Sequence, residues 1–352
     1  MRRLSLVLLL TLAACAHRGA PPTQALDDAA ARAGAGADAR TQALAGFRAL
    51  LIDGDAAKAT ALLDDAVKKN PGEPYALMGQ VLLAQRTMQP QKALAASLAL
   101  LERSPKHPLA PAAARVVLDT AALSQSTIEL VRARAPALLK LEQQPDSAHL
   151  LRSALANVLL ESGDVAAHAQ VLRDMGVPTT GTLVGPFSAF HLLDPATQTP
   201  PEQEGSLANL APGPYGPLPA RPLRIADGRF SLVGEPSTGD VYLYAVDVTV
   251  PESGAYVLRT VTSMDHAAIL DGTQVLSRFT VTRPASSLTT RVVKLDAGVH
   301  RLMVRMARES QTGHLVLALQ RLDGKPATLT FAAAQGPAPR WSGVKVQDSD
   351  AL

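Results

Sequence analysis

The sequence predicts an α + β protein of more than one domain, a helical-repeat solenoid followed by an antiparallel β-sandwich of jelly-roll type. Three observations lead there. Residues 41–178 are rich in Ala and Leu, with apolar positions at helical spacing such as Leu94, Leu98 and Leu101, or Leu151, Leu155 and Leu159. A feature of this stretch recurs after 34 residues: Ala59 and Pro71 reappear as Ala93 and Pro105. Near residue 178 the composition then changes, because ten of the twelve aromatics fall in the last 174 residues among short β-branched runs punctuated by Gly and Pro.

Residues 1–14 read as a signal peptide. Met1-Arg2-Arg3 precedes an apolar run from Leu4 to Ala14, about 16 Å long as a helix and so about half of a bilayer's hydrocarbon core. The chain's one cysteine, Cys15, follows directly, which leaves no intramolecular disulfide and no cysteine metal site. Leu12-Ala13-Ala14-Cys15 resembles the lipobox of bacterial lipoproteins. The resemblance implies that Cys15 carries lipid, palmitate included, and becomes the N-terminus, and that Ala16 directs the protein to the outer membrane of a Gram-negative envelope. Lasting attachment needs more than one acyl chain, at about 0.8 kcal/mol per buried methylene. Residues 15–40 are expected to form a flexible tether, since their Ala, Gly and Asp composition offers little bulky apolar surface.

Within residues 41–178, Ala59, Leu63, Ala66 and Pro71 sit at offsets 0, +4, +7 and +12, and Gly54-Asp55 and Gly163-Asp164 mark turns between helical stretches. Small residues let helices approach, Leu63 fills the groove between them, and proline ends a hairpin by removing a donor. About four antiparallel helix pairs are expected. The pattern resembles the tetratricopeptide family, with Ala43, Gly46, Phe47 and Leu50 at the earlier signature positions of the first repeat. The resemblance implies a protein-binding solenoid. A plain helical bundle would satisfy the same stripes without the period. Phe47 and Tyr75, the only aromatics of this half, read as packing residues.

In residues 179–335, strands are expected at 183–187, 229–233, 241–250, 255–262, 267–270, 288–295, 300–306 and 314–322. Tyr242, Tyr244, Val246, Val248 and Val250 share one parity, while Leu302, Val304 and Met306 oppose Arg301 and Arg305 across their strand. Asp271-Gly272 and Asp323-Gly324 read as turns. The runs Tyr256 to His266, Ile269 to Thr273 and Val293 to Leu302 resemble the PA14-like sandwich pattern. Some members of that group bind sugars through calcium held by adjacent aspartates. Here the corresponding turn is Asp265-His266, and His266 offers no oxygen from its side chain. Asp265, His266 and Asp271 are the candidate ligand residues. The tail 336–352 is expected to be a disordered extension around Trp341.

Charge excludes a nucleic-acid partner. There are 34 Lys+Arg against 31 Asp+Glu, and losing Arg2 and Arg3 leaves a net charge near +1, so the pI near 9.1 marks no phosphate-binding surface. No Gly-x-Ser-x-Gly elbow, His-Glu-x-x-His, Walker loop or Gly-x-Gly-x-x-Gly occurs, and no cofactor is implied. Ser263, Asp265 and His266 hold acid-base residue types in one short loop, and His191, His300 and His314 are scattered. The expected function is therefore that of a non-catalytic envelope lipoprotein, anchored at Cys15 and acting as a protein-interaction scaffold. The alternative is a cell-surface carbohydrate-binding module on a helical spacer, with polysaccharide as its ligand, and an enzyme with a nonlocal site is the third reading.

Overall fold

The computed structural model describes residues 22–34, 36–188, 196–208, 210–232, 234–235, 241–262, 264–279, 287–307, 314–326, 328–341 and 344–347. It is α + β. Among the described residues, ten α-helices and two antiparallel sheets form two compact units, 1–165 and 166–352.

The first unit is a run of antiparallel helices: α1 (Pro22–Arg32), α2 (Ala39–Arg48), α3 (Ala56–Lys69), α4 (Pro74–Arg86), α5 (Pro90–Arg103), α6 (Ala110–Thr120), α7 (Gln125–Leu138) and α8 (Pro145–Glu161). Their ends follow local chemistry. Asp38 and Asp55 accept the Thr41 and Lys58 amides at the starts of α2 and α3, and Ser124 with Thr127 forms a capping box on α7. Pro74, Pro90 and Pro145 occupy first-turn positions, where their missing N–H costs no helical bond. The spacing of Ala59, Leu63 and Ala66 puts all three on one buried face of α3. Gly46 of α2 and Gly79 of α4 are both pressed against Leu63, and a Cβ on either glycine would overlap it. Phe47 and Tyr75 meet edge to face with ring centroids 6.5 Å apart, in the packing role expected of them.

Helix α1 lies inside the stretch expected to be a tether. Its Leu26 and Ala29 are buried and Asp27 pairs with Arg48 of α2, so two apolar residues four apart sufficed once a neighbouring helix could cover them.

The second unit begins at Ala166, one residue into α9 (Val165–Asp174) and thirteen residues ahead of the expected boundary. Its packing accounts for this: Leu172 and Val177 pack against Gly228, and the Gly176 carbonyl accepts the Leu319 amide. The strands are β1 (Thr180–Val184), β2 (Arg221–Arg224), β3 (Arg229–Ser231), β4 (Val241–Val250), β5 (Gly254–Thr262), β6 (Asp265–Leu270), β7 (Thr273–Arg278), β8 (Ser287–Leu295), β9 (Gly298–Ala307), β10 (His314–Arg321), β11 (Thr330–Ala333) and β12 (Lys345–Gln347), with α10 (Pro200–Glu204) after β1. One sheet runs β2-β1-β4-β9-β6-β7, with β11 continuing the β4 edge beyond β1; the other runs β12-β8-β5-β10-β3. Strands β2, β7, β11 and β12 were not expected from the sequence. They are short, and three of them take edge positions, where pairing with a longer strand rather than their own pattern sets the structure.

The parity read from β4 and β9 holds. Tyr242, Tyr244, Val246, Val248 and Val250 join Leu302, Val304 and Met306 in one buried cluster with Tyr256, Leu258, Val293, Leu315, Leu317 and Leu319 of the five-stranded sheet. The opposite face of the seven-stranded sheet is buried as well. Val184, Leu243, Ala245, Ala267, Ile269 and Met303 form a second cluster with Leu207 and Ala334, and Phe187, Leu210, Leu218 and Trp341 pack onto it. The first residues of the expected disordered tail are therefore ordered. Trp341 lies against Gly205 and Gly272, the Gly205 carbonyl accepts the Ala338 amide, and β12 pairs with β8.

Candidate functional site

Asp265 and Asp271 stand at opposite ends of β6, six residues apart and so about 20 Å at a strand's rise. They share no ligand. His266 points into the core, where its Nε2 lies 2.9 Å from Thr260 Oγ1 of the other sheet and its Nδ1 lies 3.1 Å from the Met264 carbonyl. A carbonyl only accepts, so Nδ1 carries the hydrogen and Nε2 accepts from the hydroxyl. Burial pushes the His266 pKa down, which agrees with this neutral tautomer.

Asp271 and Gly272 both have positive φ, 47° and 80°, as a two-residue hairpin turn between β6 and β7 requires. The Asp271 carboxylate is fully engaged. Its Oδ1 accepts the Arg301 amide at 2.8 Å and its Oδ2 lies 2.5 Å from His300 Nδ1. His300 Nε2 lies 2.8 Å from the Asp296 carbonyl. Both ring nitrogens thus face acceptors, the arrangement of an imidazolium, and the Asp271 hydrogen bond holds the His300 pKa above its ordinary value against the opposing pull of burial. The buried pair ties the β6–β7 and β8–β9 turns together.

A pH dependence follows from this pair. A raised pKa means stability that is complete below the unfolded value near 6.5 and is lost as pH rises through the folded value. The stability difference between the wild type and His300→Gln should therefore shrink as pH climbs through that window, read by urea unfolding at a series of pH values. A constant difference would refute the assignment.

The side chains that sequence reasoning missed are Arg301 and Arg305. Their alternation with Leu302 and Val304 suggested a solvated face, yet both are fully buried under the second cluster. The Arg301 guanidinium grips Asp247 at 2.7 and 2.9 Å and the carbonyls of Gly336 and Gln335 at 2.8 and 2.9 Å. Arg305 pairs with the buried Glu202 at 2.5 Å. One signal was available, since Asp247 is the only acid within the apolar β4 and faces Arg301 in register. These groups clamp segments 196–205 and 334–341 onto the sheet. His314 is exposed at the start of β10, while Cys15, His191 and Ser263 lie outside the described residues. Among the described residues no group of three His, Cys, Asp or Glu could hold a metal ion.

Open concave surface occurs in both units: a hollow of about 190 Å³ lies beside Phe187, Thr199, Pro201 and Leu218 in the second, and a larger one in the helical unit. A groove of about 710 Å³ lies between α3 and α5 with α4 as its floor. Ala56, Ala57, Ala95, Ala96 and Ala99 form its walls, Leu77, Leu83 and Ala84 its base, and Asp64, Gln80 and Lys92 supply sparse polarity. Small wall residues leave the space, because the alanines facing one another across it cannot fill it. No helix among the described residues is long and apolar enough to cross a membrane.

No family model matches the chain, and no curated protein matches it. Among solved structures, the selenomethionine-labelled β-glucosidase from Kluyveromyces marxianus is similar over 77% of this chain and 35% of that one, at 11% identity and a TM-score of 0.26. The chain thus spans about a third of that enzyme's length, and a likeness at that level carries no argument about fold or activity.

Proposed function

We propose that this protein is a non-catalytic lipoprotein of the bacterial envelope, held at the outer membrane through Cys15, whose helical unit is a tetratricopeptide-like solenoid that binds a protein segment. The observation that carries the reading is the groove walled by α3 and α5: it is open and mainly apolar, with about 710 Å³ of space and few polar groups to orient an occupant. The PA14-like sandwich supplies a second, rigid body. Its buried histidines and carboxylates are spent on tying turns and segments to the sheets, which favours a structural over a catalytic part. The sugar-binding alternative is set aside because Asp271 has both carboxylate oxygens engaged and stands about 20 Å from Asp265.

Two measurements test the proposal. Cys15→Ser should abolish metabolic labelling with palmitate and release the protein from membranes; labelling that persists removes the anchor. For the groove, affinity capture from envelope membranes should be run on the wild type beside Ala57→Arg and Ala96→Arg, two substitutions on opposite groove walls at positions that are not fully buried. A specific partner should be lost from both variants while the helical unfolding midpoint stays in place. An identical set of captured proteins in all three would sink the reading.

A further inference from the structure

The helical unit presents a row of large apolar side chains along one edge. Because each helix reverses the last, the turns alternate between two edges. The turns after α2, α4, α6 and α8 share one edge, and those after α1, α3, α5 and α7 share the other. Contacts agree with the alternation: Arg86 at the end of α4 donates to the Leu50 carbonyl beside the first turn, whereas Lys69 reaches the Ala37 carbonyl and Gln144 the Lys106 carbonyl at the other edge. Ile52, Met88, Leu123, and Leu160 with Val165 mark the four turns of the first edge, 35 to 37 residues apart from Ile52 to Leu160. All are exposed, Met88 by 80%, Val165 by 64% and Leu123 by 62%. Five of the six exposed large apolar residues described in this unit thus lie on one edge, with Leu141 alone on the other. Met88 also holds a left-handed φ of 55°, at a turn whose counterparts place Gly54 and Gly163 in that region. A bulky side chain stands there where glycine would be the easier residue.

The same edge receives the N-terminal end of the described chain. Helix α1 runs antiparallel to α2, as the Asp27 pairing with Arg48 requires, so Pro22 comes to the edge of Ile52. Six residues separate Pro22 from Cys15, seven steps along the chain and a reach of at most about 24 Å. Two ion pairs lie near the edge, Arg48 with Asp53 and Arg132 with Asp164.

We propose that the turns bearing Ile52, Met88, Leu123, Leu160 and Val165 form a membrane-contacting edge, resting in the headgroup region of the bilayer that holds the Cys15 lipid. This rests on the lipoprotein reading above. Several exposed apolar tips on one edge suit an apolar phase, and interfacial binding grows with the apolar area inserted.

The test uses the full-length lipidated protein in vesicles of phosphatidylethanolamine and phosphatidylglycerol. Met88→Cys, Leu123→Cys and Leu141→Cys each supply one thiol for a polarity-sensitive dye, Cys15 being blocked by its lipid. At 88 and 123 the emission should shift to the blue and lose intensity when the acyl chains are brominated, and at 141 it should do neither. Emission at 88 and 123 matching that at 141, in protein that floats with the vesicles, leaves the anchor standing and overturns the edge. A blue shift without bromine quenching also overturns it, in favour of a second copy or another protein as occupant. Protein that takes up no palmitate and does not float removes the anchor and the proposal together.

Discussion

Arg305→Ala should destabilise the β-containing unit by about 3–5 kcal/mol, the range for removing one partner of a fully buried ion pair. Glu202 would keep the Thr199 amide and hydroxyl, at 2.6 and 2.7 Å, but would lose its only guanidinium and remain charged in an enclosed site. The cost is that of an uncompensated charge rather than of the pair itself. Replacing both partners, as Arg305→Met with Glu202→Gln, should therefore recover most of the loss, because glutamine can still complete the capping box at Thr199. Trp341, the chain's single tryptophan, packs on Gly205 one residue beyond α10 and reports this unit directly. Urea unfolding followed by its emission should show a large drop in midpoint for the single variant and a near wild-type midpoint for the double. A single variant that unfolds with the wild type would contradict the burial assigned to Glu202.

Leu63→Ala should cost the helical unit about 2–5 kcal/mol, the usual range for truncating a buried leucine. The side chain is wholly enclosed and sits against two glycines, Gly46 and Gly79, that have no side chain to move into the space. Collapse is therefore poor, and the loss should fall toward the upper end. Gly79→Ala alone overlaps Leu63 and is also expected to destabilise. Combined with Leu63→Ala, its methyl enters the vacated volume, so the double variant should lose less than the two singles predict together. Far-UV circular dichroism follows this transition, and Trp341 emission should hold its midpoint because it reports the other unit. Strict additivity would mean that Leu63 and Gly79 do not share one space.

Much of the fold was legible because it rests on local periodicity. Ala59, Leu63 and Ala66 announced their helix and its buried face, the alternation along β4 and β9 announced which side chains meet the other sheet, and Asp271-Gly272 announced its turn. Strands β2, β7, β11 and β12 were not legible, since a short strand placed by its partner carries little pattern of its own. Helix α1 was hidden for the reverse reason: its sequence is weakly apolar, and only the adjacent α2 makes Leu26 and Ala29 a packing surface.

The candidate ligand residues do not converge on one site. Asp265, His266 and Asp271 are close in sequence, but an extended strand carries its ends apart instead of gathering them. Arg301 and Arg305 looked like solvent-facing alternates because alternation tells two faces apart without saying what covers the second one. The sequence by itself determined the class of each half, the periods of its helices and strands, and the isolation of Cys15 as the chain's single thiol. Only the tertiary structure decided that both faces of the seven-stranded sheet are covered, that His300 and Asp271 meet, and that the exposed apolar turns line one edge. Those facts depend on pairings between residues distant in the chain, and no local pattern encodes a partner that folding brings from 30 to 150 positions away.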